Sequence, residues 1–396
     1  MNHELSAIWA RWSEFSPETG EAVRVFFAPG RVNLIGEHLD YNGGIVFPAA
    51  LALGTWAIVR RRPDSLLRFA STAMAKEVTV NGTSLSFHPE QDFANYPIGV
   101  IWALRREGLE VPGLDVLFHG NLPQGAGLSS SASMEMAMAV AIVEIVKSDL
   151  ARVRLAEVCQ LVENEFIGVH SGIMDQFAVA MGKKHHGILL NCDTLEHDWV
   201  PLALNGYQLV MTNSNQRREL ATSEYNQRRA ECDEALADLQ RKHPGITHLA
   251  HVTPEQWELW SDEVTNPASR RRARHVVTEN TRVLLAAQAL KQGRLEEFGQ
   301  LLNQSHHSLR DDFEVTGPFL DTLAEAAWAA AGCIGSRMTG GGFGGCTVSI
   351  VRTDAIERFK HEVAVTYEKK TGLSPSFYVT DSEDGAREVT EEVQMP

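Results

Sequence analysis

The sequence is short of positive charge. Its 396 residues contain 36 Lys and Arg against 51 Asp and Glu, which gives a formal net charge of −15. A chain this acidic would be repelled by the phosphates of a nucleic acid, so we expect no nucleic-acid partner. A long apolar run is also missing, because even the apolar stretch 134–146 contains Glu135 and Glu144. We therefore expect no membrane partner.

Cysteines are few as well. The five are widely spaced and include no C-x-x-C pair, which argues against a disulfide framework and against a structural zinc site. The N-terminal residues from Met1 to Leu5 lack the basic and apolar regions of a signal peptide. Together these absences predict reduced thiols and a cytoplasmic enzyme.

The length of the chain suggests more than one domain, since single domains usually hold about 100–200 residues. The composition shifts toward Arg, Glu and Ala after residue 215. We place a boundary near residue 205, which gives an N-terminal domain at 1–205 and a C-terminal domain at 206–396.

The order of predicted elements indicates a mixed α+β class. Residues 23–27 predict a strand that ends in a turn at residues 28–30, and the apolar stretch after Gly127 predicts a buried helix. Residues 346–350 alternate strictly between apolar and polar types. This alternation predicts a strand with one buried face and one polar face.

The usual Walker and Rossmann phosphate-binding motifs are both missing. The strongest local signal is instead the segment 122–133. It is a glycine-rich loop followed by Ser129, Ser130 and Ser131, and it opens directly into the buried helix. Glycines let the backbone approach a phosphate, and the first N–H groups of a helix carry positive potential. A simple helix cap needs only one serine, so the pattern favours phosphate binding.

A second glycine-rich segment, residues 29–44, is dense in hydrogen-bonding groups. Arg31 supplies fixed donors, Glu37 and Asp40 supply acceptors, and His38 can act as either. A polyhydroxylated ligand needs this combination, because each hydroxyl both donates and accepts. A solvated polar loop would have a similar composition, so the segment alone leaves both interpretations open.

A third segment, residues 336–345, has five glycines among its last six positions. Such a run is costly in backbone entropy, which suggests that the backbone must pass close to something. That neighbour could be a ligand or another loop, and the segment alone does not favour either.

These three segments, in this order, resemble the motifs of the GHMP small-molecule kinases, and in detail those of the members that phosphorylate galactose. Residues 30–42 are similar to the sugar signature, with Leu39 where Thr is usual, and residues 127–133 are similar to the phosphate loop. The resemblance extends to residues 172–177, 223–225 and 308–315, and so covers nearly the whole chain.

The resemblance implies a fold and an activity. The N-terminal domain would be an α+β domain of ribosomal-protein-like fold, and the C-terminal domain would be ferredoxin-like. The active site would lie in the cleft between the two domains. The implied reaction is ATP- and magnesium-dependent phosphorylation of galactose at O1, the first committed step of galactose breakdown.

The resemblance also implies roles for individual residues. Asp175 falls at the position of the family's proposed catalytic base, with Arg31 beside it to stabilise negative charge. Ser131 and Glu163 match the magnesium ligands, a hydroxyl and a carboxylate of the kind that Mg²⁺ binds. The implied sugar-binding residues are Arg31, Glu37, His38, Leu39, Asp40, Gly172, Asp175 and Tyr225. The implied nucleotide-binding residues are Gly125, Ala126, Gly127, Leu128, Ser129, Ser130 and Ser131 in the loop, with Ser71, Phe93 and Tyr96 elsewhere.

Other interpretations of these residues stand beside the functional one. Asp175 would also suit the first turn of a helix, where a carboxylate favours the dipole. Tyr225 and Glu163 would also suit ordinary helix positions. The adjacent histidines at 185–186 and at 306–307 point apart, so we expect no transition-metal site at either pair.

Two alternative functions also follow. The chain could be another sugar kinase of the family, acting on N-acetylgalactosamine, L-arabinose or galacturonate, or it could be a non-catalytic sensor of galactose and ATP. The presence of both the serine loop and Asp175 favours an enzyme. The expected partners are a small sugar and ATP, and the chain itself is expected to be a monomer or a weak homo-oligomer.

Overall fold

The computed structural model describes residues 2–17, 21–123, 127–216 and 221–393. Strands and helices are mixed along the chain, so the predicted α+β class is confirmed. The strands are β1 (Arg24–Asn33), β2 (Ile45–Val46), β3 (Pro48–Arg62), β4 (Leu66–Ser71), β5 (Met74–Asn81), β6 (Gly113–Gly120), β7 (His186–Asn191), β8 (His197–Pro201), β9 (Tyr207–Asn213), β10 (Cys333–Thr339), β11 (Cys346–Arg352), β12 (Ser376–Thr380) and β13 (Arg387–Glu388). The helices are α1 (Asn2–Phe15), α2 (Asn95–Arg106), α3 (Ser130–Val146), α4 (Arg152–Leu161), α5 (Met174–Met181), α6 (Ala221–Gln240), α7 (Pro254–Trp260), α8 (Pro267–Lys291), α9 (Leu295–Ser308), α10 (Gly317–Ala329) and α11 (Ile356–Thr371).

The first sheet has the strand order β13-β1-β3-β6-β4-β5. The turn predicted at residues 28–30 is wrong, because β1 continues through them to Asn33. The pairing of β1 with β3 only shifts its register between Pro29 and Arg31. Gly30 lies at this irregularity, where a Cβ would come within 2.8 Å of the carbonyl oxygen of Leu128. The absence of a side chain therefore lets the segment after β6 approach β1.

The buried helix predicted after Gly127 is confirmed as α3. Every residue from Met136 to Ile142 is fully buried, because β1 and β3 contact α3 together with α2, α4 and α5. The hydroxyl of Ser133 donates to the carbonyl oxygen of Ala28 at 2.8 Å, which fixes the first turn of the helix against β1. The start of α3 thus lies beside the strand that carries Arg31.

The second sheet has the order β10-β11-β9-β12. The prediction of one polar face for β11 is wrong, since Thr347 and Ser349 are buried together with its apolar residues. β11 is an inner strand, and Ser349 pairs its hydroxyl with that of Ser336 on β10 at 2.8 Å. The polar positions of the alternating pattern are therefore buried instead of solvated: Ser349 is hydrogen-bonded, whereas the hydroxyl of Thr347 has no hydrogen-bond partner among the described residues.

The two sheets are linked by more than one crossing of the chain. After β12 the chain returns to the first sheet, where Glu388 of β13 pairs with Phe26 of β1. The boundary near residue 205 stays a prediction. In the described part of the chain, no helix is both long enough and apolar enough to cross a membrane.

Two helix starts and one irregular turn surround the region where the glycine-rich segments meet. α4 passes into a π-helical turn at Val162–Ile167, which ends at Gly168 in a left-handed conformation. α5 then begins at Met174, with Asp175 in its first turn. Short π-helical turns often mark functional sites, because they redirect the side chains of a helix.

Candidate active site

Two adjoining hollows lie where the three glycine-rich segments converge. Their volumes are about 260 Å³ and about 320 Å³. The first is lined by many of the residues assigned to the sugar, namely Glu37, His38, Asp40, Gly172 and Tyr225. The second lies at the start of α3 and is lined by Gly127, Leu128, Ser129 and Ser130. Both hollows are lined by Arg31, Ser131, Asp175 and Gly341.

Arg31 and Asp175 form an ion pair at the junction of the hollows. The guanidinium donates to both carboxylate oxygens of Asp175, from Nε at 2.7 Å and from Nη2 at 2.9 Å. Its Nη1 donates to the carbonyl oxygen of Gly127 at 2.7 Å. Burial opposes the charge of Arg31, but the carboxylates of Asp175 and Glu37 raise its pKa. The pair therefore ties β1, the loop at Gly127 and α5 together.

Ser129 has a contact that the sequence did not predict. Its hydroxyl donates a short hydrogen bond to Oδ2 of Asp175. The residue adopts a left-handed conformation, with φ of 60°, immediately before the first residue of α3. The serine run thus serves two functions, because Ser129 orients Asp175 while Ser130 and Ser131 begin the helix.

Glu37 is almost completely buried and is held by three groups. Its carboxylate accepts from Nδ2 of Asn33 at 2.9 Å, from the backbone N–H of Gly340 at 2.7 Å and from Arg337 at 3.4 Å. Arg337 is itself fully buried and donates to the carbonyl oxygens of Asn33 and Leu34. Neither Asn33 nor Arg337 was predicted as a site residue, since nothing in the local pattern connects Arg337 with a residue 300 positions away.

The third glycine-rich segment lies close both to a hollow and to another part of the chain, the two kinds of neighbour that the sequence left open. It lines the first hollow through Gly340, Gly341 and Gly342. It is also crowded, because a Cβ on Gly342 would lie 2.4 Å from the carbonyl oxygen of Val315. Gly340 and Gly342 have positive φ angles of 86° and 80°, which glycine adopts without strain.

His38 is fixed as a neutral side chain at the wall of the first hollow. Its Nδ1 pairs with the hydroxyl of Tyr41 at 2.9 Å, and its ring stacks on Phe313 with centroids 4.5 Å apart. Burial, together with the nearby His275 and Arg337, lowers the pKa of His38 to about 3. His38 can therefore offer hydrogen bonds to a ligand without adding charge at neutral pH.

Asp40, Gly172 and Tyr225 complete the same wall. Burial, with the charges of Asp175 and Glu37, raises the pKa of Asp40 to about 7. A Cβ on Gly172 would lie only 2.0 Å from Oδ2 of Asp40, so no side chain fits there. The ring of Tyr225 lies 5.6 Å from that of His38. Burial also raises the pKa of Tyr225 well above its ordinary value, so its hydroxyl keeps its proton.

Some of the predicted site residues do not line either hollow. Leu39 is fully buried in the hydrophobic core, where its carbonyl oxygen accepts from the N–H groups of Asn42 and Gly44 and so shapes the turn. Ser71 and Phe93 are buried outside both hollows. Tyr96 lies near Glu163, and burial with that charge raises its pKa to about 12. Gly125 and Ala126 lie outside the described residues.

Ser131 and Glu163, the predicted magnesium ligands, are in direct contact. The hydroxyl of Ser131 donates to Oε1 of Glu163 at 2.8 Å, and the hydroxyl of Ser171 donates to Oε2 at 2.6 Å. Burial raises the pKa of Glu163 despite these two hydrogen bonds. Glu163 has no cationic partner among the described residues, and a buried carboxylate of this kind would gain from a nearby cation. Because the donors are all oxygens, the pair fits Mg²⁺.

Behind Glu163 lies a second buried acid that the sequence analysis did not single out as a site residue. Glu135 on α3 is fully buried, and burial with the charge of Glu163 raises its pKa well above the ordinary value. Burial and the neighbouring acid therefore both oppose ionisation of Glu135. Its place inside an apolar helix face was the only signal in the sequence that could have found it.

Comparison with known proteins identifies the class of this chain. The family model for the GHMP kinases N terminal domain matches residues 95–183, and that for the GHMP kinases C terminal matches residues 286–369. The galactokinase galactose-binding signature matches residues 13–61. A solved mevalonate kinase of Methanococcus jannaschii, 16% identical, has a TM-score of 0.65 over 93% of this chain and its own full length (100%), which shows a shared fold.

Other relatives are much more similar. The galactokinase of Halalkalibacterium halodurans is 51% identical over 94% of this chain and 95% of its own length. The galactokinase of Bacillus subtilis is 48% identical over 98% and 99%. The solved galactokinase of Lactococcus lactis, complexed with galactose, is 40% identical with a TM-score of 0.94 over 97% and 99%. The chain thus belongs to the GHMP kinases, and within them to the galactokinase family.

The crowding at Gly172 leads to a prediction about stability. Gly172→Ala should lower the free energy of unfolding by about 1–3 kcal/mol, because the new Cβ would displace the carboxylate of Asp40 from a packed wall. Gly245→Ala is the matched control, since a Cβ on Gly245 would meet nothing within 4 Å. Urea unfolding of the purified variants measures both. Equal stabilities of the two variants would contradict the geometry described for Gly172.

Proposed function

We propose that this chain transfers the γ-phosphoryl group of ATP to O1 of galactose, in a cleft between domains 1–205 and 206–396. The observation that supports this proposal most is the position of Asp175, which lines both hollows. Arg31 holds its carboxylate in place through two hydrogen bonds. One carboxylate can therefore face a sugar hydroxyl in the first hollow and a phosphoryl group in the second.

The reacting groups meet beside Asp175. Asp175 accepts the proton of the sugar O1–H as O1 forms its bond to the γ-phosphorus, and the bond to the β–γ bridging oxygen breaks. Arg31 and Ser129 keep the carboxylate oriented through the hydrogen bonds that they donate. Phosphoryl transfer needs mainly positioning and stabilisation of charge, and a buried guanidinium at this point supplies both.

The triphosphate would occupy the second hollow. The backbone N–H groups at the start of α3 are oriented to bind phosphate oxygens, with the positive end of the helix dipole behind them. Ser131 and Glu163 would hold a magnesium ion next to this position. When bound, that ion would neutralise phosphate charge.

Selectivity for the sugar follows from the acids around the first hollow. Glu37 already accepts from Asn33, Gly340 and Arg337. Asp175 accepts from Arg31 and Ser129, so we assign most of the hydrogen bonds from sugar hydroxyls to Asp40, with Asp175 facing the reacting hydroxyl. A hydroxyl of the wrong configuration would leave a buried carboxylate oxygen unpaired, at a cost on the order of 1–3 kcal/mol. A uronic acid would bring a further negative charge into the same group of acids.

An ATP-consumption assay over a panel of free sugars tests the proposal. Galactose should be used at least about tenfold more efficiently than glucose or galacturonate. Asp175→Asn should bind galactose with turnover reduced by roughly two to four orders of magnitude. Asp149→Asn, which changes an exposed acid outside the site, is the matched control and should behave as wild type.

Three results would contradict parts of this proposal. Preferential use of N-acetylgalactosamine, L-arabinose or galacturonate would assign the chain to another sugar substrate. Binding of galactose and ATP without any turnover would make it a sensor. Turnover of Asp175→Asn within about threefold of wild type would remove the role of the base.

The magnesium assignment predicts a change in metal requirement. Ser131→Ala and Glu163→Gln should each raise the Mg²⁺ concentration that gives half-maximal activity, and their effects should be less than additive in the double variant. Glu165→Gln is the matched control, because this residue of the same π-helical turn pairs with Arg106 on the surface. Unchanged Mg²⁺ dependence in both site variants would show that the metal lies elsewhere.

A further inference from the structure

Three side chains converge outside both hollows, on the far side of residues 29–44, which we call the sugar segment. Asp193 lies in the turn between β7 and β8, and His248 and His251 lie at the short 3₁₀ turn before α7. One ligating atom from each lies within 4.8 Å of the other two. All three side chains are about one-third exposed, so the cluster lies next to solvent, although Nδ1 of His248 is itself buried.

The distances within this cluster suit a shared ion better than direct hydrogen bonds. Nε2 of His251 lies 3.4 Å from Oδ2 of Asp193, and Nδ1 of His248 lies 3.7 Å from Oδ1. Both separations exceed about 2.7–3.2 Å, the usual donor–acceptor distance of an N–H···O hydrogen bond. Ligand atoms about 2.0–2.1 Å from a tetrahedral zinc ion are roughly 3.3–3.4 Å apart. The separation between His251 and Asp193 matches this value, whereas the separation of His248 from the other carboxylate oxygen is 3.7 Å, so His248 would move slightly toward a shared ion.

One ring nitrogen of each histidine lies near the carboxylate of Asp193, and the surrounding hydrogen bonds leave it available to bind a metal ion. Nδ1 of His251 pairs with the hydroxyl of Thr247 at 3.1 Å. When that nitrogen donates, the lone pair of Nε2 faces Asp193, and such an outer contact commonly orients a metal-binding histidine. Nδ1 of His248 is buried and has no hydrogen-bond partner among the described residues. A divalent cation would satisfy both nitrogens and the carboxylate together.

We propose that Asp193, His248 and His251 bind a divalent transition-metal ion of the Zn²⁺ class, with solvent in the remaining position. Two imidazoles and one carboxylate form a donor set that binds such ions in preference to Mg²⁺. This site is separate from Ser131 and Glu163, and the inference does not depend on the proposed reaction.

The bound ion would brace the sugar segment from behind. A Cβ on Gly43 would lie 2.5 Å from Cγ of His248, so the imidazole packs directly on the backbone that follows Asp40–Asn42. The N–H of Cys192, the neighbour of Asp193, donates to the carbonyl oxygen of Gly44 at 3.0 Å. Fixing His248 and Asp193 to one ion therefore restrains the segment at two adjacent points.

Titration of metal-free full-length protein with Co²⁺ tests this inference, with visible absorption as the signal and excess Mg²⁺ present. Wild type should bind one equivalent of Co²⁺, and added Zn²⁺ should displace the bound Co²⁺. His251→Gln and Asp193→Asn should each weaken binding at least about tenfold, while folding normally because both residues are largely at the surface. Zn²⁺ should also raise the melting temperature of wild type but not of His251→Gln.

Two control variants define the outcome. His361→Gln changes an exposed histidine of α11, and Glu163→Gln weakens the proposed magnesium site; both should bind Co²⁺ as wild type does. The inference is overturned if no saturable equivalent binds, which would mean that the three side chains are held by proton-mediated ion pairs alone. It is also overturned if Glu163→Gln loses the ion while His251→Gln keeps it.

Discussion

The ion pair between the buried Arg31 and the partly buried Asp175 is the interaction on which the site depends. Arg31 lies on β1 and is 5% exposed, and its guanidinium contacts two elements that are distant in sequence, the loop at Gly127 and the start of α5. Removing Asp175 would leave the charge of the buried Arg31 without its partner, which is unfavourable because a buried charge is poorly solvated. The pair therefore fixes the wall between the hollows as well as the carboxylate proposed to act there.

A surplus of buried acids surrounds this pair. The pKa of Asp40 rises to about 7, and the pKa values of Glu163 and Glu135 also rise, because burial and neighbouring carboxylates oppose ionisation. Such an arrangement destabilises the empty site as the acids ionise with rising pH. It is relieved by ligands that donate hydrogen bonds or bring positive charge, which are the properties of a neutral sugar and of a magnesium ion.

Local sequence signals predicted a large part of this structure. The serine run before an apolar helix indicated phosphate binding through its own backbone chemistry, whereas the polar segment 29–44 and the glycine run at 340–345 were assigned to the site only by the family resemblance. Residues of all three segments line the two hollows. Long-range contacts were not predictable: the bond between Glu37 and Arg337 joins residues 300 positions apart. The wrong turn at residues 28–30 and the wrong polar face of β11 have the same cause, since the strands packed beside them determine both.

The most direct test of the central claim is the kinetics of Arg31→Lys. Lysine keeps the positive charge but cannot donate to both oxygens of Asp175 and to Gly127 at once. The account predicts that kcat for galactose falls at least about 100-fold, while the dissociation constant for galactose, measured by calorimetry, changes only a few-fold. A kcat within about threefold of wild type would contradict it, because charge alone would then suffice at this position.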